Sequence, residues 1–271
     1  MSFSSMRTGI NQMNKNENNN PKNQDSKTLG GDGERIAKVI ARAGVCSRRD
    51  AEKLIAQGRV TLNGEVLDTP ACKVTSRDNI VVDGTPLKKP EATRLFLYHK
   101  PVGFLTTTRD DRGRATIYDD LPDDLPRLLS VGRLDLNTEG LLLLTNDGEF
   151  SRYLELPETG WNRTYRVRVY GRVREDDLEE LRKGITYEGV HYGSIDAELE
   201  KQTESNAWIR MTLNEGKNRE IRNVMRALGL QVNRLIRISY GPFSLQGLDK
   251  SNVVEVHLKE FKHHMKDFFG S

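Results

Sequence analysis

Residues 131–150, VGRLDLNTEGLLLLTNDGEF, constrain this chain more than any other stretch. Residues 141–144 are short, continuous and apolar, and Asn146-Asp147-Gly148 closes them with a turn signal, which predicts a strand buried on both faces. Residues 135–140 then form the loop that feeds this strand. A loop anchored on a buried strand is a rigid mount for a reactive group. Asp135 stands between Leu134 and Leu136, and a carboxylate in apolar surroundings is costly unless paired. Spacing alone leaves two uses for it: a turn cap or ion pair with Arg133, or a chemical role that needs partners from elsewhere in the chain.

A chain of 271 residues, 36% hydrophobic and 30% charged, fits one large or two modest domains with a polar surface. No apolar run approaches the ~20 residues of a membrane helix, and the N-terminus lacks the apolar core of a secretory signal. The expected location is the cytoplasm, with no membrane partner. Cys46 and Cys72 alone cannot build a disulfide framework or a four-cysteine zinc site. The five histidines show no ligand spacing such as H-E-x-x-H, so no metal is expected. A net charge of +3 decides little; the clustering of the basic residues matters more.

Residues 1–33, rich in Asn, Ser, Gln, Lys and Gly, contain almost nothing to bury and are expected to be a disordered tail. From Glu34 the pattern changes. Ile36, Val39, Ile40 and Ala43 mark one face of a helix ending at Gly44, and Ser47-Arg48-Arg49-Asp50 reads as a capping box starting a second helix. Asn63-Gly64 and Asp83-Gly84 then signal tight hairpins. Arg35, Lys38 and Arg42 share one side of the first helix, and Arg48, Arg49, Lys53 and Arg59 continue a positive surface with few acids, which suits a phosphate backbone. The run RIAKVIARAGVCSRRDAEKLIAQGRVTLNGEVL resembles the S4-like RNA-binding domain. That resemblance implies a module over residues 34–90 that binds structured RNA by shape and phosphate contacts.

Lys88-Lys89-Pro90-Glu91 reads as a linker to a second domain over residues 94–262, with residues 263–271 as a C-terminal tail. Residues 163–170 alternate as a half-exposed strand, with Tyr165, Val167 and Val169 on one face and Arg166 and Arg168 on the other. Ile221, Val224, Met225 and Leu228 mark a helix that follows Glu215-Gly216-Lys217-Asn218-Arg219-Glu220. Strands and helices are mixed along the chain, so the fold class is α+β.

Four motifs in order, Gly132-Arg133-Leu134-Asp135 with Thr138-Glu139-Gly140-Leu141-Leu142, Thr164-Tyr165, residues 215–222 and Leu235-Ile236-Arg237, resemble the pseudouridine synthases of the RsuA-like branch, closest to the B-type enzymes that act on large-subunit ribosomal RNA. The RluA-like branch carries His-Gln where this chain has Arg219-Glu220. The resemblance implies a catalytic domain built on a mostly antiparallel sheet with flanking helices and isomerisation of a uridine without a cofactor, in large-subunit ribosomal RNA or, alternatively, in small-subunit ribosomal RNA or transfer RNA, with ribosomal RNA and its precursor particles as partners of a monomeric enzyme. Asp135 is then the catalytic residue, attacking ribose or base. Tyr165 stacks on the flipped base, and Arg222 pairs with Asp135 and aims it. Arg133, Lys217 and Arg219 are expected RNA contacts, and Ile221 and Leu235 expected pocket residues, above an apolar floor of Leu134 and Leu136. Two other classes compete: a non-catalytic RNA-binding assembly factor, and a nucleoside glycosidase, against which stands the want of a second well-placed acid.

Overall fold

Ile36, Ala37 and Ile40 are buried on α1 (Ile36–Arg42), and Ala51 and Ile55 on α2 (Arg48–Ala56). Ser47 caps α2 by accepting the Asp50 N–H at 3.1 Å, but its hydroxyl donates to the Asp50 carboxylate at 2.6 Å. The acid thus takes the hydroxyl proton instead of the Ser47 amide that a full capping box would use. β1 (Val60–Leu62) turns into β2 (Glu65–Val66) through Asn63-Gly64, and β3 (Ile80–Val82) into β4 (Thr85–Pro86) through Asp83-Gly84. All four turn residues have positive φ, as two-residue hairpins require. The helices and the sheet β2-β1-β3-β4 enclose a core of their own that includes Ile36, Ile55, Val60 and Val82.

The computed structural model describes residues 33–270; the tail expected over residues 1–33 lies outside them except for Gly33. Among the described residues no helix is long and apolar enough to cross a membrane. Beyond the module the chain forms β5 (Leu95–Lys100), β6 (Glu139–Thr145), α3 (Gly148–Glu155), β7 (Arg163–Tyr170), α4 (Glu175–Glu180), β8 (Asp196–Gln202), β9 (Asn206–Leu213), α5 (Glu220–Ala227), β10 (Gln231–Tyr240) and β11 (Val253–Glu255). Its main sheet runs β8-β9-β7-β10-β6-β5-β11. This is an α+β fold on a mostly antiparallel sheet, and within that sheet only the β6–β10 pairing is parallel. Every residue of β6 is buried, as its unbroken apolar run predicts. On β7, Val167 and Val169 are buried while Arg166 and Arg168 are exposed.

The parallel contact is two residues long, Glu139 opposite Ile236 and Gly140 opposite Arg237. Gly140 adopts φ 111°, and a Cβ there would stand 2.3 Å from the Arg237 carbonyl oxygen. Only glycine permits this approach, so one residue without a side chain joins the two halves of the sheet.

Two expectations need correction. The C-terminal segment is no free tail: Met265 is fully buried, and Phe268 and Phe269 pack 4.8 and 5.4 Å from the Phe150 ring, completing an apolar cluster over α3. The positive surface of the module is also smaller than its sequence promises. Lys38 binds Glu34 and Glu149, and Arg42 reaches Asp147 at 3.2 Å and the Glu91 carbonyl at 2.8 Å, so both tie the module to the start of α3. Lys53 pairs with Asp50 and Arg59 with Asp83. Arg35, Arg48 and Arg49 are exposed and, among the described residues, have no acidic partner within ion-pair distance.

Replacing Gly140 by alanine is expected to destabilise the protein by about 3 kcal/mol, because strain at positive φ adds to a backbone overlap. Urea unfolding of Gly140→Ala beside the parent measures it, and a difference under ~0.5 kcal/mol would mean that the seam relaxes freely.

Candidate active site

A cleft of about 510 Å³ opens where the loop before β6, the start of β7, the loop after β9, α5 and β10 converge. Asp135 lies on the first of these, with its side chain about one-third exposed (32%). The loop is held from two sides. Lys100, at the end of β5, has no solvent exposure, and its ammonium donates to the carbonyls of Pro101 at 3.0 Å, Asp135 at 3.2 Å and Thr138 at 2.9 Å. Burial pulls Lys100 down to about 8, against the opposing charges of Asp135 and Glu139. From the other side the Thr106 hydroxyl donates to the Leu134 carbonyl at 2.8 Å. In sequence Lys100-Pro101 reads only as a turn, because its three acceptors include carbonyls more than thirty residues away.

Arg219 supplies the charge partner: its Nη1 stands 3.2 Å from Asp135 Oδ2. This corrects the assignment of that pairing to Arg222. The α5 register turns Arg222 to the backbone, where Nη2 donates to the Asn137 carbonyl at 2.8 Å and Nη1 to the Val232 carbonyl at 3.3 Å. Burial and the neighbouring Arg219 lower its pKa, with Asp135 opposing. Arg222 thus braces the loop that carries Asp135 from behind. Arg133 is exposed at the cleft without an ion pair among the described residues, so it does not pair with Asp135 either.

Tyr165 reaches the cleft from β7. The pairing with β10 slips between Thr164 and Tyr165, so that Tyr165 stands opposite Arg237 and not Ile238. Such a bulge re-aims a side chain beside a site. Leu134, Ile221 and Leu235 supply the apolar lining; Leu136 does not reach it. Arg163 and Arg237, both buried, lie deeper. Arg163 donates to the Asn214 carbonyl and the Tyr240 hydroxyl, and Arg237 to the Leu141 carbonyl. Neither has a carboxylate partner among the described residues. The cleft therefore sets Asp135 and the Tyr165 ring among several guanidinium groups, of which Arg133, Arg163 and Arg237 have no carboxylate partner among the described residues.

Comparison with known proteins decides the family. Residues 94–227 match the model of RNA pseudouridylate synthases and residues 34–81 that of the S4 domain. An uncharacterized RNA pseudouridine synthase of Rickettsia felis is 44% identical over 226 residues, covering 83% of this chain and 98% of the relative. The ribosomal large subunit pseudouridine synthase B of Bacillus subtilis is 39% identical over 84% of this chain and 94% of its own. A solved pseudouridylate synthase superposes with a TM-score of 0.59 at 29% identity, over 85% of this chain and 99% of its own. The chain belongs to the RNA pseudouridine synthase family.

Besides the exposed Glu155 at the end of α3, the cleft of this synthase holds two acids that the sequence did not place there. Glu215 and Glu220 line it with Asp135, which corrects the expectation of a single well-placed acid. Glu220 is only 4% exposed, and burial followed by the adjacent Glu215 carboxylate pushes it up to about 8. Burial would also raise Glu215, but hydrogen bonds from Glu220, Lys217 and the Gly193 amide hold it below the usual carboxylate range. Lys217 is occupied there, donating to Glu215 at 2.7 Å and to the His191 carbonyl at 2.8 Å.

Lys100→Met keeps the volume and removes the donors from three buried carbonyls. A loss of about 3 kcal/mol is expected in urea unfolding, in line with unsatisfied buried acceptors. A change below ~0.5 kcal/mol would show that water replaces the ammonium at no cost.

Proposed function

We propose that this synthase isomerises a uridine of large-subunit ribosomal RNA, in the cytoplasm and as a monomer, with ribosomal RNA and its precursor particles as partners and Asp135 as the nucleophile. The observation that carries this reading is the Asp135–Arg219 pair inside a cleft shared with Tyr165. One carboxylate oxygen is held by the guanidinium, while the other accepts no hydrogen bond from the described residues and is left to attack. The names of the Bacillus subtilis and Yersinia pestis relatives, both ribosomal large subunit pseudouridine synthase B, support the choice of RNA.

The chemistry fits the residue types. Uridine's N1–C1′ bond breaks, a C5–C1′ bond forms, the proton on C5 leaves and one is taken up at N1, so the product is an isomer. Reaching the ribose and base requires the nucleotide to leave its stack, and the Tyr165 ring supplies a surface on which the extruded base stacks. Leu134, Ile221 and Leu235 limit water around the detached base, which would otherwise be lost by hydrolysis. Arg163, Arg237 and Arg133 draw the phosphate backbone toward the cleft.

Tritium release from ribosomal RNA labelled at uridine C5, prepared from a strain lacking the protein, tests the assignment. The parent is expected to release tritium, and Asp135→Ala to lower the rate at least about a thousand-fold. Equal release by both would reject Asp135. Carbodiimide-dependent stops in reverse transcription separate isomerisation from base loss. In the module, Arg48→Gln with Arg49→Gln is expected to flatten the dependence of log affinity on log salt by about 0.7–0.9 for each phosphate no longer neutralised. An unchanged slope would remove these arginines from the RNA interface.

A further inference from the structure

The proposed chemistry makes no use of the two extra acids, yet their arrangement is specific. Glu220 Oε2 accepts the Lys217 N–H at 2.9 Å, whereas Oε1 is buried and, among the described residues, has no hydrogen-bond partner; the Glu215 side chain is the acidic neighbour of this carboxyl in the cleft wall. Glu215 is fully engaged: Oε1 accepts the Gly193 N–H at 2.6 Å and Oε2 the Lys217 ammonium at 2.7 Å. Two ionised carboxylates in contact repel each other, but a single proton between them turns the contact into a charge-assisted hydrogen bond. Burial places that proton on Glu220, the less solvated and less bonded of the two.

Between these acids the chain makes a tight loop, and Arg219 sits in it with φ 52°, a left-handed conformation that arginine rarely adopts. The Arg219 side chain spans 84 residues of sequence to reach Asp135. Something must hold its backbone in that conformation: Glu215, Lys217 and Glu220 are bonded across the loop, and Asn223 Nδ2 donates to the Asn218 carbonyl at 3.3 Å. We propose that Glu220 and Glu215 share one proton and so clasp the 215–220 loop, acting as positioning residues that keep Arg219 on Asp135, and that loss of this proton releases Arg219 and slows the reaction.

This rests on the reading of Asp135 as the reacting group. The sign follows from the raised Glu220 pKa: the proton stays in place below it, and the clasp fails as the pH rises through it. The charged and titratable groups around the pair are Lys217 and Arg219 on the loop, His191 and Tyr192 from the strand Val190–Tyr192, Arg163 and Tyr165 from β7, Arg222 from α5, Arg237 and Tyr240 from β10, Arg133 and Asp135 from the loop before β6, and Glu155 from α3. Lys100, brought to about 8 on the far side of the Asp135 loop, is the group whose titration would mimic the effect.

Glu220→Gln separates the two. Its amide donates to Glu215 without a titrating proton, and its oxygen still accepts from Lys217. In the parent, kcat for tritium release is expected to fall about tenfold per pH unit above roughly pH 8, with KM changing less than about threefold. Glu220→Gln should lose this alkaline limb and restore most of the rate that Glu220→Ala forfeits at pH 7. A limb that survives in Glu220→Gln belongs to Lys100 and overturns the proposal. A second readout needs no activity: the amide resonances of Gly193 and Lys217, which donate to Glu215 and Glu220, are expected to titrate together on the alkaline side of neutrality in the parent and stay flat in Glu220→Gln. Failure of those amides to titrate together refutes the clasp even in an inactive protein. An inactive parent whose amides do titrate refutes Asp135 as the reacting group, and with it the claim that the clasp serves this reaction.

Discussion

The short parallel contact between β6 and β10 is the point on which the architecture turns. Along the main path of the sheet, four strands on one side and three on the other are joined through Glu139 and Gly140 against Ile236 and Arg237, and the cleft lies across that join. Because the Asp135 loop enters β6 at this seam, the same backbone approach that closes the sheet also fixes where the carboxylate stands. Arg237 shows the economy of the arrangement. Its main chain meets Gly140, its guanidinium holds the Leu141 carbonyl, and its side chain forms part of the cleft wall.

Much of this was legible in the sequence wherever the deciding contacts are local or periodic. Unbroken apolarity over residues 141–144 predicted a strand buried on both faces, alternation over residues 163–170 predicted which face of β7 turns inward, and Asn63-Gly64 and Asp83-Gly84 predicted two hairpins. What the sequence hid depends on where a long side chain goes after leaving its element. Arg219 and Arg222 are three residues apart, nearly one turn, and which of them meets Asp135 is set by a left-handed residue at the helix start that no propensity reveals. Lys38 and Arg42 belong to a stripe that looks like an RNA-binding face, yet both turn to acids at the start of α3 more than a hundred residues away. Residues 263–271 looked like a basic tail because their histidines and lysines stand out over their apolar residues, but Met265, Phe268 and Phe269 are enough to dock them.

The cations of the site follow a common rule. Lys100, Arg163, Arg222 and Arg237 are buried or partly buried, and the hydrogen bonds they make go mainly to backbone carbonyls, although Arg222 Nε and Arg237 Nη2 have no partner among the described residues. A carbonyl dipole solvates a cation without cancelling its charge, so the cleft keeps a positive field that carboxylate partners would have removed. For a polyanionic substrate such a field raises the rate of encounter. The cost of desolvating these cations is met within the fold, before any RNA arrives, which is the sense in which the site is preorganised.

Against that field Asp135, Glu215 and Glu220, the three cleft acids that are not at its exposed rim, differ because their surroundings differ, as expected when environment sorts like groups into distinct roles. Asp135 is the most open and has a guanidinium beside one oxygen only, which leaves the other uncommitted. Glu215 accepts a hydrogen bond on each of its oxygens, from the Gly193 amide and the Lys217 ammonium. Glu220 is buried against Glu215, so ionising it would set two negative charges in contact within an apolar wall. A carboxylate with one unbonded oxygen, one held in hydrogen bonds and one whose ionisation is opposed by burial can therefore share a cleft. Exchanging any two of their environments would exchange their chemistry, since the side chains themselves are nearly identical.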